Sequence, residues 1–133
     1  MEFLTTKNPE VAAVLIPWFV LSHNQTRESV FRELVERLVC QPEETFICLA
    51  VEAEKIKGFT VAYCRGKNDV FMWQARSEGM KRREVDIAFH SVVNWAKALG
   101  FRKLIAAPNR ALKLWVRRWG FKQLNEEEVC KEI

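Results

Sequence analysis

The sequence predicts an α/β (α+β) fold, a mixed sheet of about six to seven strands with four helices in the order β-α-α-β-β-β-α-β-α-β. Three observations predict it. Residues 70–121 read strand, turn, long helix, strand, helix, ending in Arg118-Trp119-Gly120-Phe121, and a strand joined through a helix to a second strand makes a parallel unit. Before that unit, two β-prone runs at 46–51 and 59–64 are spaced to pair as a hairpin. Before the hairpin, two stretches carry apolar residues at steps of three and four, the period of a helix with one buried face. At 133 residues, 49% hydrophobic and 29% charged, the chain has a soluble globular balance and reads as one domain over 1–133.

Residues 2–5 alternate weakly and form a short first strand. Asn8 is placed to cap a helix with Pro9 at its first position and Glu10 in its first turn. Val11, Val14, Leu15 and Trp18 give that helix its apolar stripe, and Pro17 ends or kinks it near Ile16. A polar break at 22–25 contains His23. Thr26 caps the second helix, whose stripe is Val30, Phe31, Leu34, Val35, Leu38 and Val39. Glu33 and Arg37 form an exposed pair one turn apart, and Gln41-Pro42 stops the helix. In the hairpin, 52–58 is a charged turn with Gly58 just before the return strand.

Gly66-Lys67-Asn68-Asp69 then turns the chain into a third β segment at 70–75. The long helix covers 81–99, with Val85, Phe89, Val92, Val93, Ala96 and Leu99 in period and Gly100 as its C-terminal glycine. Residues 103–106 are a short buried-type strand. Pro108-Asn109 punctuates the chain, and Asn109 caps a last helix running to Trp119, with Leu112, Trp115 and Trp119 on one face. The acidic tail closes as a strand pair with a turn at Asn125-Glu126.

Several classes are disfavoured. No apolar run reaches the ~20 residues that span a bilayer, since Pro17 interrupts the most apolar window, 11–21. The start, Met1-Glu2-Phe3, lacks the basic region of a secretory leader. The four cysteines, Cys40, Cys48, Cys64 and Cys130, form no C-x-x-C pair. With only two histidines there is no zinc pattern, so no metal is expected. Reduced thiols partly buried on strands suit a cytoplasmic location. The net charge of +4 is modest, with basic clusters at 81–83, 102–103 and 110–118. These favour an anionic ligand or partner, but no nucleic-acid motif accompanies them. Trp115 and Trp119, beside Arg117 and Arg118, read either as a stacking platform for an adenine or as a core stripe.

The element order resembles the GNAT superfamily, the Gcn5-related N-acetyltransferases. Three stretches carry the likeness. The hairpin 50–63, with Gly58, looks like the family's second and third strands. Residues 94–104, Asn94-Trp95-Ala96-Lys97-Ala98-Leu99-Gly100-Phe101-Arg102-Lys103-Leu104, look like the end of the third helix running into strand five. Asn109 to Gly120-Phe121 keeps the family's spacing across the fourth helix. The resemblance implies acetyl-CoA held where strands four and five splay, with its pyrophosphate at the start of the third helix. There a Gln/Arg-x-x-Gly-x-Gly/Ala loop lets free N–H groups meet phosphate.

Two registers of that loop are open. An ungapped one puts Met80, Arg83 and Val85 on the motif and loses both glycines. The other uses Arg76 and Gly79 and ends in Lys81. The residues expected near acetyl-CoA are therefore Trp73, Gln74, Ala75, Arg76, Gly79, Lys81, Arg82, Arg83 and Asn109, the basic ones holding phosphate by side chains. The family's helix-four tyrosine, the acid for the leaving thiolate, falls on Val116 here, which cannot donate a proton. The one tyrosine, Tyr63, reads as a packing residue on the hairpin. Candidates for general base are Glu52, Glu78 and His23, each equally readable as a surface group, while His90 is structural.

The expected function is a divergent acetyl-CoA-dependent N-acetyltransferase acting on an amine the sequence does not name. The alternative is a non-catalytic interaction or virion protein, because the Gly-poor, Lys/Arg-rich loop also looks like GNAT-like proteins of bacteriophages. That alternative widens the location to host cytoplasm or virion and leaves a protein partner open. Dimerisation through the last strands, frequent in relatives, leaves a homodimer open as well.

Overall fold

A computed structural model describes residues 1–108 and 117–133 of the chain. The elements run β1 (Glu2–Thr5), α1 (Val11–Leu15), α2 (Arg27–Cys40), β2 (Thr45–Glu52), β3 (Lys55–Arg65), β4 (Asp69–Ser77), α3 (Arg82–Ala98), β5 (Lys103–Ala106), β6 (Lys122–Gln123) and β7 (Val129–Glu132). Residues 117–119 are helical. The rest of the expected fourth helix, with Asn109, Leu112, Trp115 and Val116, lies outside the described residues.

The strands form one seven-stranded sheet in the order β1-β2-β3-β4-β5-β7-β6. Every neighbouring pair is antiparallel except β4 with β5, which the α3 crossover makes parallel. The fold class, the parallel pair and the closing strand pair are as the sequence predicts.

Helices cover both faces. On one, α3 lays Phe89, Val92, Val93 and Ala96 over Ala62, Val70, Met72, Leu104 and Ala106. On the other, Leu15, Ile16 and Phe19 join Val30, Leu34 and Leu38 over Ile47, Phe59 and Val61. Leu15, Leu34, Leu104 and Val92 are fully buried, and each such side chain contributes about 1.5–3 kcal/mol of burial free energy.

The helix ends are built as their residues suggest. Thr26 Oγ1 accepts the Ser29 N–H and Ser29 Oγ accepts the Thr26 N–H, both at 3.1 Å, a reciprocal cap. Gly100, at φ +86°, ends α3. Its N–H bonds the Lys97 carbonyl and the Phe101 N–H bonds that of Ala96, the Schellman arrangement only a left-handed residue permits.

Other expectations are corrected. The first helix begins at Val11, not Pro9. Asn8 Oδ1 still accepts the Glu10 N–H at 3.0 Å, but Pro9 and Glu10 form a turn ahead of the helix. Its buried stripe is Ala12, Leu15, Ile16 and Phe19, leaving Val14 and Trp18 about half exposed. Pro17 tightens the end into a 3-10 turn, Ile16–Trp18, which carries the stripe onto Phe19. In α2, Phe31 and Val39 are exposed. Arg37 does more than pair with Glu33: its guanidinium lies 3.6 Å from the centre of the Tyr63 ring. The turn of the first hairpin is only Ala53-Glu54, both at positive φ (51° and 65°), and Gly58 lies within β3. Cys40 is exposed at the end of α2 rather than on a strand.

Candidate functional site

β4 and β5 pair from Asp69 with Lys103 to Met72 with Ala106. There β5 stops, and Pro108, two residues on, has no N–H to extend a ladder. β4 continues to Ser77 and stays paired with β3. Its other edge, over residues 73–77, faces no strand among the described residues.

A bulge in β4 falls just past the end of this ladder. Met72 pairs with Ala62 and Gln74 with Val61, so Trp73 is an extra residue. Such an insertion bends the strand and sharpens its twist. It also turns two consecutive side chains to one face: Trp73 packs edge-on against Phe19 at 5.5 Å, and Gln74 bonds Val20.

Clefts open on both faces of the sheet at this point. On the α3 face a cleft of about 210 Å³ is mostly apolar, with Met80, Val85, Phe89 and Trp119 in its wall. On the α1/α2 face a cleft of about 380 Å³ is lined by Tyr63, Phe71, Trp73, Gln25 and Glu33, with Glu127 at its border. Met72 and Ala75 line both. The two spaces therefore adjoin across the sheet where the ladder ends.

The start of α3 adjoins the first cleft. Lys81 is its N-cap, and the Glu84 carboxylate accepts the Lys81 N–H at 2.8 Å. The N–H groups of Arg82 and Arg83, the first two helical residues, have no acceptor within the helix. The side chains of Lys81, Arg82 and Arg83 are exposed. Arg118 reaches the same end, donating to the Arg82 carbonyl and to Asp86 Oδ1, each at 3.1 Å. The Trp119 indole N–H donates to that same oxygen at 3.1 Å, while its ring stacks on Phe89 at 4.8 Å. The Trp119 hydrogen bond holds the Asp86 carboxyl below its ordinary range against the opposing effect of desolvation, with the Arg118 charge and hydrogen bond adding to it.

The residues expected from the sequence are dispersed around this geometry. Ala75 lines both clefts. Trp73 and Gln74 line the α1/α2 cleft, and the Gln74 carboxamide is spent on Val20. Arg76 pairs with Glu78 at 3.3 Å and lies 4.4 Å over the Trp18 ring, on the α1 side. Gly79, at φ +66°, is in the bend between β4 and α3, ahead of the helix start. Lys81, Arg82 and Arg83 share the α3 start. Glu52 is exposed at the hairpin tip, paired in register with Lys55. His23 is exposed in the turn before α2. Glu52, Glu78 and His23 line neither cleft.

Three residues at the α1/α2 cleft escaped the sequence reading as site residues: Glu33, Glu127 and Tyr63. Local pattern marks Glu33 as half of a helix pair and Tyr63 as a packing aromatic. Only the sheet order, which lays α2 beside β3 and β4, brings them to one cleft. Burial, outweighing the nearby Arg37 charge, raises the Tyr63 phenol above its ordinary pKa, so at neutral pH it is a proton-bearing group. Among the described residues no cluster of His, Cys, Asp and Glu is arranged to hold a metal, and no helix is long and apolar enough to cross a membrane.

A scan against protein-family models finds no match to this chain, and a search of curated proteins finds none either. Solved structures do match. The acetyltransferase of GNAT family from Streptococcus pneumoniae superposes with a TM-score of 0.64 at 18% identity, over 99% of this chain and 100% of that one. The PaiA N-acetyltransferase from Thermoplasma acidophilum, in complex with coenzyme A, gives 0.69 at 15% over the whole of both chains. A predicted acetyltransferase with acetyl-CoA from Clostridium acetobutylicum gives 0.76 at 11%, over 94% of this chain and 92% of that one. At these identities the likeness establishes the fold: this chain has the fold of the GNAT acetyltransferases.

Proposed function

We propose that this chain is a divergent member of the GNAT superfamily and an acetyl-CoA-dependent N-acyltransferase. The observation that carries the reading is the end of the β4–β5 ladder at Met72 and Ala106, where adjoining clefts leave room on either face of the sheet. A donor entering from α3 and an acceptor entering from α1/α2 would meet there.

The residues present fit a CoA-type donor. The edge of β4 at 73–75, which pairs with no strand beyond β5 among the described residues, would offer backbone N–H and C=O groups to an extended amide chain, as a strand would. Phosphates would meet the exposed cations of Lys81, Arg82 and Arg83 and the free N–H groups of the α3 start. Arg83 and Val85, where the family's motif has small residues in the register that starts at Met80, make this a hold by side chains more than a backbone cradle. When bound, the donor supplies an acyl group activated as a thioester. The protein's own part is positioning and desolvation, each able to supply a large share of a rate enhancement. Tyr63, protonated and on the acceptor face, is the phenol nearest this chemistry.

One observation favours a second reading, a fold retained for interaction, as in a virion or host-binding protein. Glu84 already fills one donor position at the α3 start, and the sequence has Val116 where the family's acid stands. Isothermal titration with acetyl-CoA separates the two. The first reading expects saturable heat in the micromolar to millimolar range, weakened at least fivefold by the double reversal Arg82→Glu/Arg83→Glu. No heat at millimolar acetyl-CoA removes it.

A further inference from the structure

From the α1/α2 cleft we infer the chemical class of the acceptor: a primary amine carried on an aromatic or other flat apolar body, with no carboxylate or phosphate beside it. The inference rests on the proposed acyltransferase reading and adds the acceptor to it.

Among the described residues, the lining of this cleft contains no lysine, arginine or histidine, although the chain holds 21 Lys and Arg against 17 Asp and Glu. The opposite cleft differs, since Arg118 lines it. Two carboxylates, Glu33 and Glu127, border the acceptor side. Glu127 makes no ion pair among the described residues. Glu33 pairs with Arg37 through one carboxylate oxygen at 3.2 Å. Arg37 and Arg65 lie over the Tyr63 and Phe71 rings, yet neither lines the cleft. Between the carboxylates, Tyr63 and Trp73 meet edge to face at 5.6 Å, and Tyr63 and Phe71 pack at 5.6 Å.

An ammonium group is favoured by both surroundings, through hydrogen-bonded charge at the carboxylates and through the aromatic quadrupoles. A flat apolar body matches the rings. Among the described residues no cation of the lining would pair with a ligand carboxylate or phosphate, and desolvating either unpaired is costly. The overall step balances: the ammonium releases one proton to solvent, its nitrogen forms the C–N bond and gives up a second proton, the thioester C–S bond breaks, and CoA departs as the thiol with that second proton.

The test uses the intact chain and a matched pair of probes, 2-phenylethylamine and phenylalanine, which differ by one carboxylate. Saturation-transfer NMR and calorimetry without donor read binding. Thiol release at saturating acetyl-CoA reads turnover. Phenylethylamine is expected to bind and react at least tenfold better than phenylalanine. Glu127→Gln, an exposed change, and Glu33→Gln are each expected to weaken phenylethylamine several-fold and to narrow its advantage over phenylalanine. Equal or tighter binding of phenylalanine, or unchanged phenylethylamine binding in a folded Glu127→Gln variant, overturns the inference. Acetyl-CoA heat with no amine binding defeats this inference alone. Amine binding with no acetyl-CoA heat defeats the acyltransferase reading alone.

Discussion

Gln74 bonds both backbone groups of Val20: its Oε1 accepts the Val20 N–H and its Nε2 donates to the Val20 carbonyl, each at 3.0 Å. One carboxamide thus acts as a short piece of strand, tying the segment after α1 to β4 beside the bulge. Ser22 and Gln25, which line the α1/α2-face cleft, follow directly from that tie.

Gln74→Leu removes both bonds at nearly constant volume. Each hydrogen bond contributes about 0.5–1.5 kcal/mol net, so a loss of about 1–2 kcal/mol is expected by urea unfolding, with faster proteolysis at residues 19–26. An unchanged urea midpoint would show that the tie carries no stability.

Gly58 is held by sterics. A Cβ there would stand 2.5 Å from the Arg76 carbonyl oxygen and 2.5 Å from Met80 Sδ. The methionine can swing aside, but the carbonyl belongs to β4. Gly58→Ala is expected to cost about 1–3 kcal/mol and to displace the β4 edge, so acetyl-CoA affinity should fall along with Tm. A wild-type Tm would contradict the close approach.

Asp86 sets an acid limit. Its folded pKa is depressed, so the Trp119 and Arg118 contacts stabilise the fold above the ordinary carboxyl range and are lost as pH falls through the folded value. Glu128 behaves likewise through Arg65. Stability should be level above about pH 5 and decline below about pH 4. Asp86→Asn should lower stability at pH 7 by no more than about 1 kcal/mol, given the partial exposure of the pair, and flatten the acid decline. A steeper decline in the variant would refute the assignment.

The thiols should separate by accessibility. Burial, reinforced by Glu44, raises Cys64 to about 11, and burial also raises Cys48 and Cys130. Cys40 is exposed. Ellman's reagent at pH 8 should modify one thiol quickly in the native protein, and Cys40→Ser should abolish that phase. A second fast thiol would mean that a strand opens.

The sequence made the sheet legible because strands and helices differ in period, and because Gly100 and Thr26 mark ends by their own chemistry. It also placed the strands at 70–75 and 103–106, which pair in parallel over the whole of β5, while β4 runs on past its end. It missed the face of α1 because Pro17 replaced the expected helical turn with a tighter one, shifting burial from Val14 and Trp18 to Ile16 and Phe19. The cleft residues were the least legible. Glu33, Tyr63 and Glu127 are far apart in the chain, and none carries a local signature of more than packing or surface charge.

The extra residue at Trp73 inverts the alternation of everything that follows on β4. Counted from Val70 and Met72, which face α3, an uninterrupted strand would aim Arg76 at the α3 face. Instead it lies over Trp18 on the opposite side. Deleting a single residue at 73 would therefore reverse the destination of the Arg76 cation, carrying it from the Trp18 face to the α3 face, and would move Ala75 and Ser77 the other way.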